Sequence, residues 1–205
     1  MGAIRVCLVP VIAGLCIAAF TQDKSPNSSP GNSGLSVAPR KQSDTASPME
    51  KIIASLAGSW SVSERYEPSP EMPKGGTGSG EVIYRPGPGG QSLIEEYHSK
   101  STAGEYSGLG IIWWDDQAQG YLTTWCDSST RGCKLLPNPG KWEGDRLVLL
   151  DETEVSGVKT VTRETYSNFK GDSFLQTLET IRPDGVMKRF LTITNTRVSA
   201  TGKQH

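Results

Sequence analysis

Leu56-Ala57-Gly58-Ser59-Trp60 is where this chain changes its periodicity. Upstream, Pro48 to Ala57 reads as one short helix: Ser47 suits the N-cap, Pro48 the first turn, and Ile52, Ile53 and Leu56 share a face. Downstream of Gly58 no helical period survives. Runs rich in β-formers alternate with turn signals almost to the C-terminus, which is the pattern of an antiparallel meander rather than of βαβ units.

The runs are Trp60 to Tyr66, Glu81 to Arg85, Ser92 to His98, Tyr106 to Trp114, Tyr121 to Asp127 and Cys133 to Leu136. A short piece around Trp142 follows, then Arg146 to Leu150, Val158 to Phe169, Ser173 to Ile181 and Val186 to Thr196. Pro86-Gly87-Pro88-Gly89-Gly90, Asp115 to Gly120 and Arg182-Pro183-Asp184-Gly185 supply turns between them. About eight to ten strands predict an all-β fold, one closed antiparallel barrel behind a short N-terminal helix. Closure removes exposed edges, and such barrels keep ligands in their interior or at one open mouth.

The 205 residues allow one such domain, over 48–198, once the ends are set aside. Met1 to Phe20 has the build of a signal peptide: Arg5 is its only charge, Val6 to Phe20 is apolar, and Ala18 and Ala19 stand where cleavage is expected. An uncleaved anchor is the rival reading, but the run is short for a membrane span and is broken by Pro10. Lipid attachment at Cys16 is disfavoured by Leu15, where a small residue belongs. Residues 21–47 are dominated by Ser, Pro, Asn and Gly and predict a disordered linker, and residues 199–205 form a polar tail. Within that linker, Asn27-Ser28-Ser29 is read as a chance sequon. Export to the periplasm or the extracellular space is the expectation.

Net charge is −1, from 21 basic and 22 acidic residues that are well interspersed. No basic stripe is present of the kind that nucleic acid or an anionic membrane surface requires. Cys126 and Cys133 flank a polar, hairpin-like loop, and in an oxidising compartment they predict a cross-strand disulfide worth about 2.5 kcal/mol by loop-closure entropy. Two thiols with no histidine nearby do not make a zinc set, and the spacing is not that of a redox Cys-x-x-Cys.

Face patterning carries the functional clue. Tyr106, Gly108, Gly110, Ile112 and Trp114 share one face of their strand, as do Tyr121, Thr123, Trp125 and Asp127 of the next. Small residues beside aromatic ones leave space for a ligand cavity. The other face of the first strand (Ser107, Leu109, Ile111, Trp113) is also apolar, so the inward side stays open, and a filled barrel with glycines easing the bend is the competing reading.

These residues resemble a family. Leu56-Ala57-Gly58-Ser59-Trp60, Gly108-Leu109-Gly110 with Trp114-Asp115, Gly120-Tyr121 and Trp125-Cys126-Asp127 follow the order and spacing of a bacterial domain-of-unknown-function family, number 1579. Its members look like lipocalin-type (calycin-type) barrels, and many are exported. The similarity runs from about Met49 to Arg197. The family usually shows Tyr-Asp in place of Trp114-Asp115, and Cys126 is a local addition. In such barrels the glycine, here Gly58, turns the chain onto the floor, and the tryptophan, here Trp60, plugs that end. A late arginine often stacks on that indole, which points to Arg189 or Arg197. The resemblance implies no substrate.

Candidate chemistry is sparse. His98 and the terminal His205 are the only histidines, and no Gly-x-Ser-x-Gly elbow exists, so a nucleophilic triad is disfavoured. Haem is disfavoured too, because the ligand histidine of the haem-binding nitrobindin barrels lies near the C-terminus and Val186 to Thr196 holds none. No metal or other cofactor is expected. Glu95 and Glu96 point to opposite faces, so only one enters the barrel. Asp127, with Arg131 close by, is read first as a rim ion pair. Asp151, Glu152 and Glu154 read as an acidic turn without EF-hand spacing. Lys74 to Gly80 leads into a strand rather than a helix, which makes it a flexible loop or lid rather than a phosphate cradle.

The leading expectation is an exported, lipocalin-like barrel that binds a small apolar or amphipathic ligand without transforming it. Tyr97, Tyr106, Trp114 and Trp125 are the expected lining and Asp127 the polar anchor. The alternatives are an envelope protein-interaction module with a filled barrel, and an isomerase- or hydrolase-like enzyme using one buried carboxylate. Oligomeric state is not legible.

Overall fold

The computed structural model describes residues 47–199 except 71, 131, 156–157 and 182–184. The predicted leader, all of the linker but Ser47, the tail beyond 199 and Arg131 lie outside the described residues.

Helix α1 (Pro48–Leu56) starts with a capping box: the Glu50 amide donates to Ser47 Oγ at 3.1 Å, and the Ser47 amide donates to Glu50 Oε2 at 2.7 Å. Met49, Ile52 and Leu56 form its buried stripe. It ends one residue before the predicted boundary. Ala57 is extended, and Gly58 has φ of 140°, a conformation that L side chains rarely adopt.

Ten strands follow: β1 (Gly58–Tyr66), β2 (Gly76–Pro86), β3 (Ser92–Ser101), β4 (Gly104–Asp115), β5 (Gly120–Asp127), β6 (Cys133–Glu143), β7 (Arg146–Val155), β8 (Val158–Ser167), β9 (Ser173–Ile181) and β10 (Met187–Arg197). Each pairs antiparallel with its sequence neighbours, and β10 returns to pair with β1, closing the barrel. The alternation is cleanest in β1, where Trp60, Val62 and Glu64 are buried and Ser59, Ser61, Ser63 and Arg65 are exposed.

Three local expectations are corrected. The glycine-rich stretch read as a loop or lid is strand from Gly76 onward, paired with β1 and β3. Strand propensity disfavours glycine, but here neighbours fill the space: a Cβ on Gly78 would overlap the Glu64 carboxylate, and one on Gly80 would overlap the His98 carbonyl. Asp151, Glu152 and Glu154 lie within β7 rather than in a turn. Cys133 to Leu136 and the piece around Trp142 are one strand, β6, whose register shifts between Asn138 and Lys141, next to Pro137 and Pro139.

One end of the barrel is sealed by α1. Ile52 and Leu56 join Trp60, Tyr84, Leu93, Ile112, Tyr121, Leu147, Tyr166 and Phe174 in the core. Two hydrogen bonds fix the helix there: Trp60 Nε1 donates to the Leu56 carbonyl at 2.8 Å, and the Tyr121 hydroxyl donates to the Pro48 carbonyl at 2.7 Å. The Arg197 guanidinium lies 4.1 Å from the Trp60 ring centroid and donates to the carbonyls of Ala57 at 3.1 Å and Gly171 at 2.9 Å. Arg189 is placed elsewhere, in an ion pair with Glu179 at 2.9 Å, so the stacking role offered to either arginine falls to Arg197.

Candidate ligand cavity

Beyond this apolar floor the inward positions turn polar. Along β1 the buried face runs Trp60, Val62, Glu64; along β3 it runs Leu93, Glu95, Tyr97, Ser99; β9 contributes Phe174 and then Gln176. Of these, Glu64, Glu95, Tyr97 and Gln176 line a cavity of about 340 Å³, within the usual range for small-molecule sites. Tyr66, Tyr106, Thr123, Trp125, Glu164 and Ile193 also line it. The space lies on the polar side of the interior, away from the α1 floor.

Three glutamates reach the cavity from β1, β3 and β8, besides Asp127 and Asp151. Glu64, 3% exposed, accepts from the Tyr97 hydroxyl at 2.6 Å and the Tyr66 hydroxyl at 3.0 Å. Glu95, 4% exposed, accepts from the Tyr84 hydroxyl at 3.0 Å. Burial, and then the charge of Glu164, push its carboxyl up to about 8. Burial likewise raises Glu164, against the opposing effect of a hydrogen bond donated by the Gln176 amide. Burial pushes the Tyr84, Tyr97 and Tyr166 hydroxyls upward, so they stay neutral donors at physiological pH. Tyr106 is pushed up to about 12 by burial, although Trp125 Nε1 donates to its oxygen at 3.0 Å.

At the rim, Lys134 pairs with Asp151, and Cys126 and Cys133 stand opposite each other in register as a disulfide with Cα atoms 4.1 Å apart. Asp127 Oδ1 accepts from the Ser129 amide at 2.8 Å, the Ser129 hydroxyl at 2.6 Å and the Thr130 amide at 2.8 Å. Partial burial raises its carboxyl, but these bonds together outweigh that and hold it below the usual range. One Asp127 oxygen is thus committed to shaping the loop that the disulfide closes.

Of the residues expected to bind ligand, Tyr97, Tyr106, Trp125 and Asp127 line the cavity. Trp114 does not. It packs edge-to-face on Tyr121 with centroids 5.2 Å apart, and its Nε1 donates to Asp116 at 3.0 Å. The face of β4 bearing Tyr106, Gly108, Gly110 and Ile112 points inward, and on the opposite face Leu109 and Ile111 are exposed. The room left by Gly108 and Gly110 is taken by the Trp125 indole, 3.1 Å from where a Gly110 Cβ would stand. Glu95 is the inward member of its pair, and Glu96 faces out to Arg85 at 2.7 Å. His98 is exposed on the outer face, between Glu81 and Ser107.

Sequence reasoning missed Glu64, Glu164 and Gln176. Glu64 had a readable signal, since it lies two and four positions after Val62 and Trp60 on one strand face. Among the described residues no cluster of three His, Cys, Asp or Glu is arranged to hold a metal ion, and no helix is long and apolar enough to cross a membrane.

A family model described as "Protein of unknown function (DUF1579)" matches residues 45–197. No curated protein matches the chain. Among solved structures, the crystal structure of Rv2717c from M. tuberculosis aligns with a TM-score of 0.51 at 14% identity, covering 76% of this chain and 100% of that one. A de novo designed fluorescence-activating β-barrel aligns with a TM-score of 0.40 at 15% identity, covering 71% and 97%. The redesigned β-barrel mFAP0, bound to DFHBI, aligns with a TM-score of 0.38 at 16% identity, covering 69% and 98%. At 14% identity the likeness to Rv2717c is one of fold alone.

Proposed function

We propose that this chain, which belongs to the DUF1579 family of unknown function, is a small-molecule carrier or receptor that holds an amphipathic ligand without transforming it. The observation that carries this reading is the 340 Å³ cavity, walled by tyrosines, Trp125 and hydrogen-bonding groups above a floor sealed by α1. Trp125, Leu191 and Ile193 offer an apolar surface, while Glu64, Glu95 and Gln176 offer fixed polar contacts. A lipocalin-type mode of binding, with the ligand entering through the open mouth, belongs to the same proposal.

Export to the periplasm or extracellular space is part of it as well. The leader-like N-terminus supports this, as does a rim disulfide that persists only in an oxidising compartment.

The test is native mass spectrometry of protein purified from its own source, alongside titration with the neutral dye N-phenyl-1-naphthylamine. A co-purifying small molecule, or saturable dye fluorescence that the molecule displaces, is expected. Neither a bound species nor saturable dye binding would remove the reading.

One observation favours a second reading. Glu95 is buried, lines the cavity and is raised to about 8, the poise of a general acid or base at neutral pH. Turnover of any co-purifying compound, with a pH profile lost in Glu95→Gln, would move the assignment to an enzyme of the isomerase or hydrolase kind.

A further inference from the structure

We propose that the cavity receives a small organic cation, a protonated amine on an apolar body, with its charge held between Glu95 and Glu164. This rests on the ligand-binding reading above and narrows it to a chemical class.

Charge balance is the first argument. Glu64, Glu95 and Glu164 all line the cavity, yet none forms an ion pair with a Lys, Arg or His among the described residues. Lys134, the cation on the cavity wall, is committed to Asp151 at the rim. Gathering carboxyl groups in an enclosed site without a countercharge is costly. A cationic ligand offsets that cost, and an anionic one compounds it.

Hydrogen-bond inventory is the second. Gln176 and Thr123 are cavity-lining residues that are 4% and 5% exposed, and their Oε1 and Oγ1 atoms, buried just behind the wall, have no partner within the protein. Glu95 Oε2 lies beside Gly110, in the space that the Trp125 indole also fills. An ammonium brings only donors, and these atoms accept. A neutral polyol would bring acceptors too, and the Tyr66, Tyr84 and Tyr97 hydroxyls already donate to Glu64 and Glu95, which leaves Tyr106 as the one tyrosine of this group whose proton is not given to either glutamate. A metal ion is a poorer fit, since no trio of ligating side chains converges among the described residues.

Ring faces are the third. Tyr97 and Tyr106 pack edge-to-face at 6.1 Å, beside Trp125, on the same wall as Glu95. Aromatic rings next to carboxylates suit an alkylammonium, whose charge is spread over its neighbouring carbons.

Protonation behaviour agrees with this geometry. The titratable groups that face Glu95 are Tyr84 from β2, Tyr106 from β4, and Glu164 and Tyr166 from β8. None of them brings positive charge. At neutral pH Glu95 therefore holds a proton that the amine displaces. Binding releases that proton, and affinity rises with pH by about tenfold per pH unit between 6 and 7.5.

Three probes with one skeleton test this in the full protein by isothermal titration: 1-naphthylmethylamine, 1-naphthalenemethanol and 1-naphthoate. The amine is expected to bind about tenfold tighter than the alcohol at pH 7.5, and the acid weakest. Proton release at pH 7, read from the heat in two buffers of different ionisation enthalpy, should accompany the amine alone. Glu95→Gln should abolish the release and bring amine and alcohol within about threefold, while the outward Glu96→Gln leaves all three affinities unchanged. Alcohol binding as tight as the amine, or tighter acid binding, overturns the cation assignment and leaves the ligand-binding reading standing. Saturable binding of none of the three removes both. The wild-type comparison needs no variant to fold.

Discussion

The Glu64 carboxylate occupies the space that a side chain at Gly78 would need. A Cβ there would overlap Glu64 Oε2 and stand 2.7 Å from the Ser101 Cβ. One glycine in β2 is thus the complement of one acid in β1, across the pairing Glu64↔Gly78. Gly78→Ala should lower stability by about 1–3 kcal/mol, the usual cost of overpacking. Urea denaturation of Gly78→Ala, Glu64→Ala and the double variant measures the coupling. Simple addition of the two single effects would mean that the carboxylate is not what the glycine accommodates.

Glu95 makes stability depend on pH in a fixed direction. Its folded carboxyl is raised from 4.5 to about 8, so the folded state binds the proton more tightly than the unfolded one. The stabilising contribution is complete below the unfolded value and is lost as pH climbs through the folded one. Each tenfold difference in proton affinity is worth about 1.4 kcal/mol. Melting temperature should therefore fall between pH 5 and 8 more steeply in the wild type than in Glu95→Gln. Parallel slopes for the two proteins would refute this assignment.

Reduction of Cys126–Cys133 should cost about 2.5 kcal/mol, read as a shift in denaturation midpoint for the double Cys→Ser variant. The loop between the cysteines is also held by Asp127, so amide exchange at Ser129 and Thr130 should speed up while the α1 amides stay unchanged.

Trp125 and Trp114 should part company in a ligand titration. Trp125 lines the cavity, whereas Trp114 packs on Tyr121. Trp125→Phe is expected to remove most of the ligand-induced change in intrinsic fluorescence and weaken binding several-fold, about 1 kcal/mol. Trp114→Phe should leave the affinity unaltered. The reverse outcome would relocate the site.

The barrel was legible because its signals are local. Ser47 and Pro48 mark a helix start, Gly58 marks its end, and strict alternation in β1 marks a half-buried strand. The strand at Gly76–Gly80 was hidden because its warrant lies in other strands: the Glu64 carboxylate and the His98 backbone occupy the space that side chains would fill. The site was half legible for the same reason. Aromatic residues on one face of β4 and β5 announced Tyr106 and Trp125. Trp114 shares that face but falls at the α1 end of the barrel, and the strand period says nothing about height along the axis. The carboxylates of β1 and β8 converge only through barrel closure, which no single window of sequence contains.

Closure has a consequence for how the molecule comes into being. All pairings but one join consecutive strands, and the exception unites the first strand with the last. Arg197 reaches Ala57 across 140 positions of sequence. A chain emerging from the ribosome can zip nine strands in order and still present two raw edges until the tenth arrives. Sealing is then the step at which a vulnerable sheet becomes a vessel, and Arg197 on Trp60 is its latch.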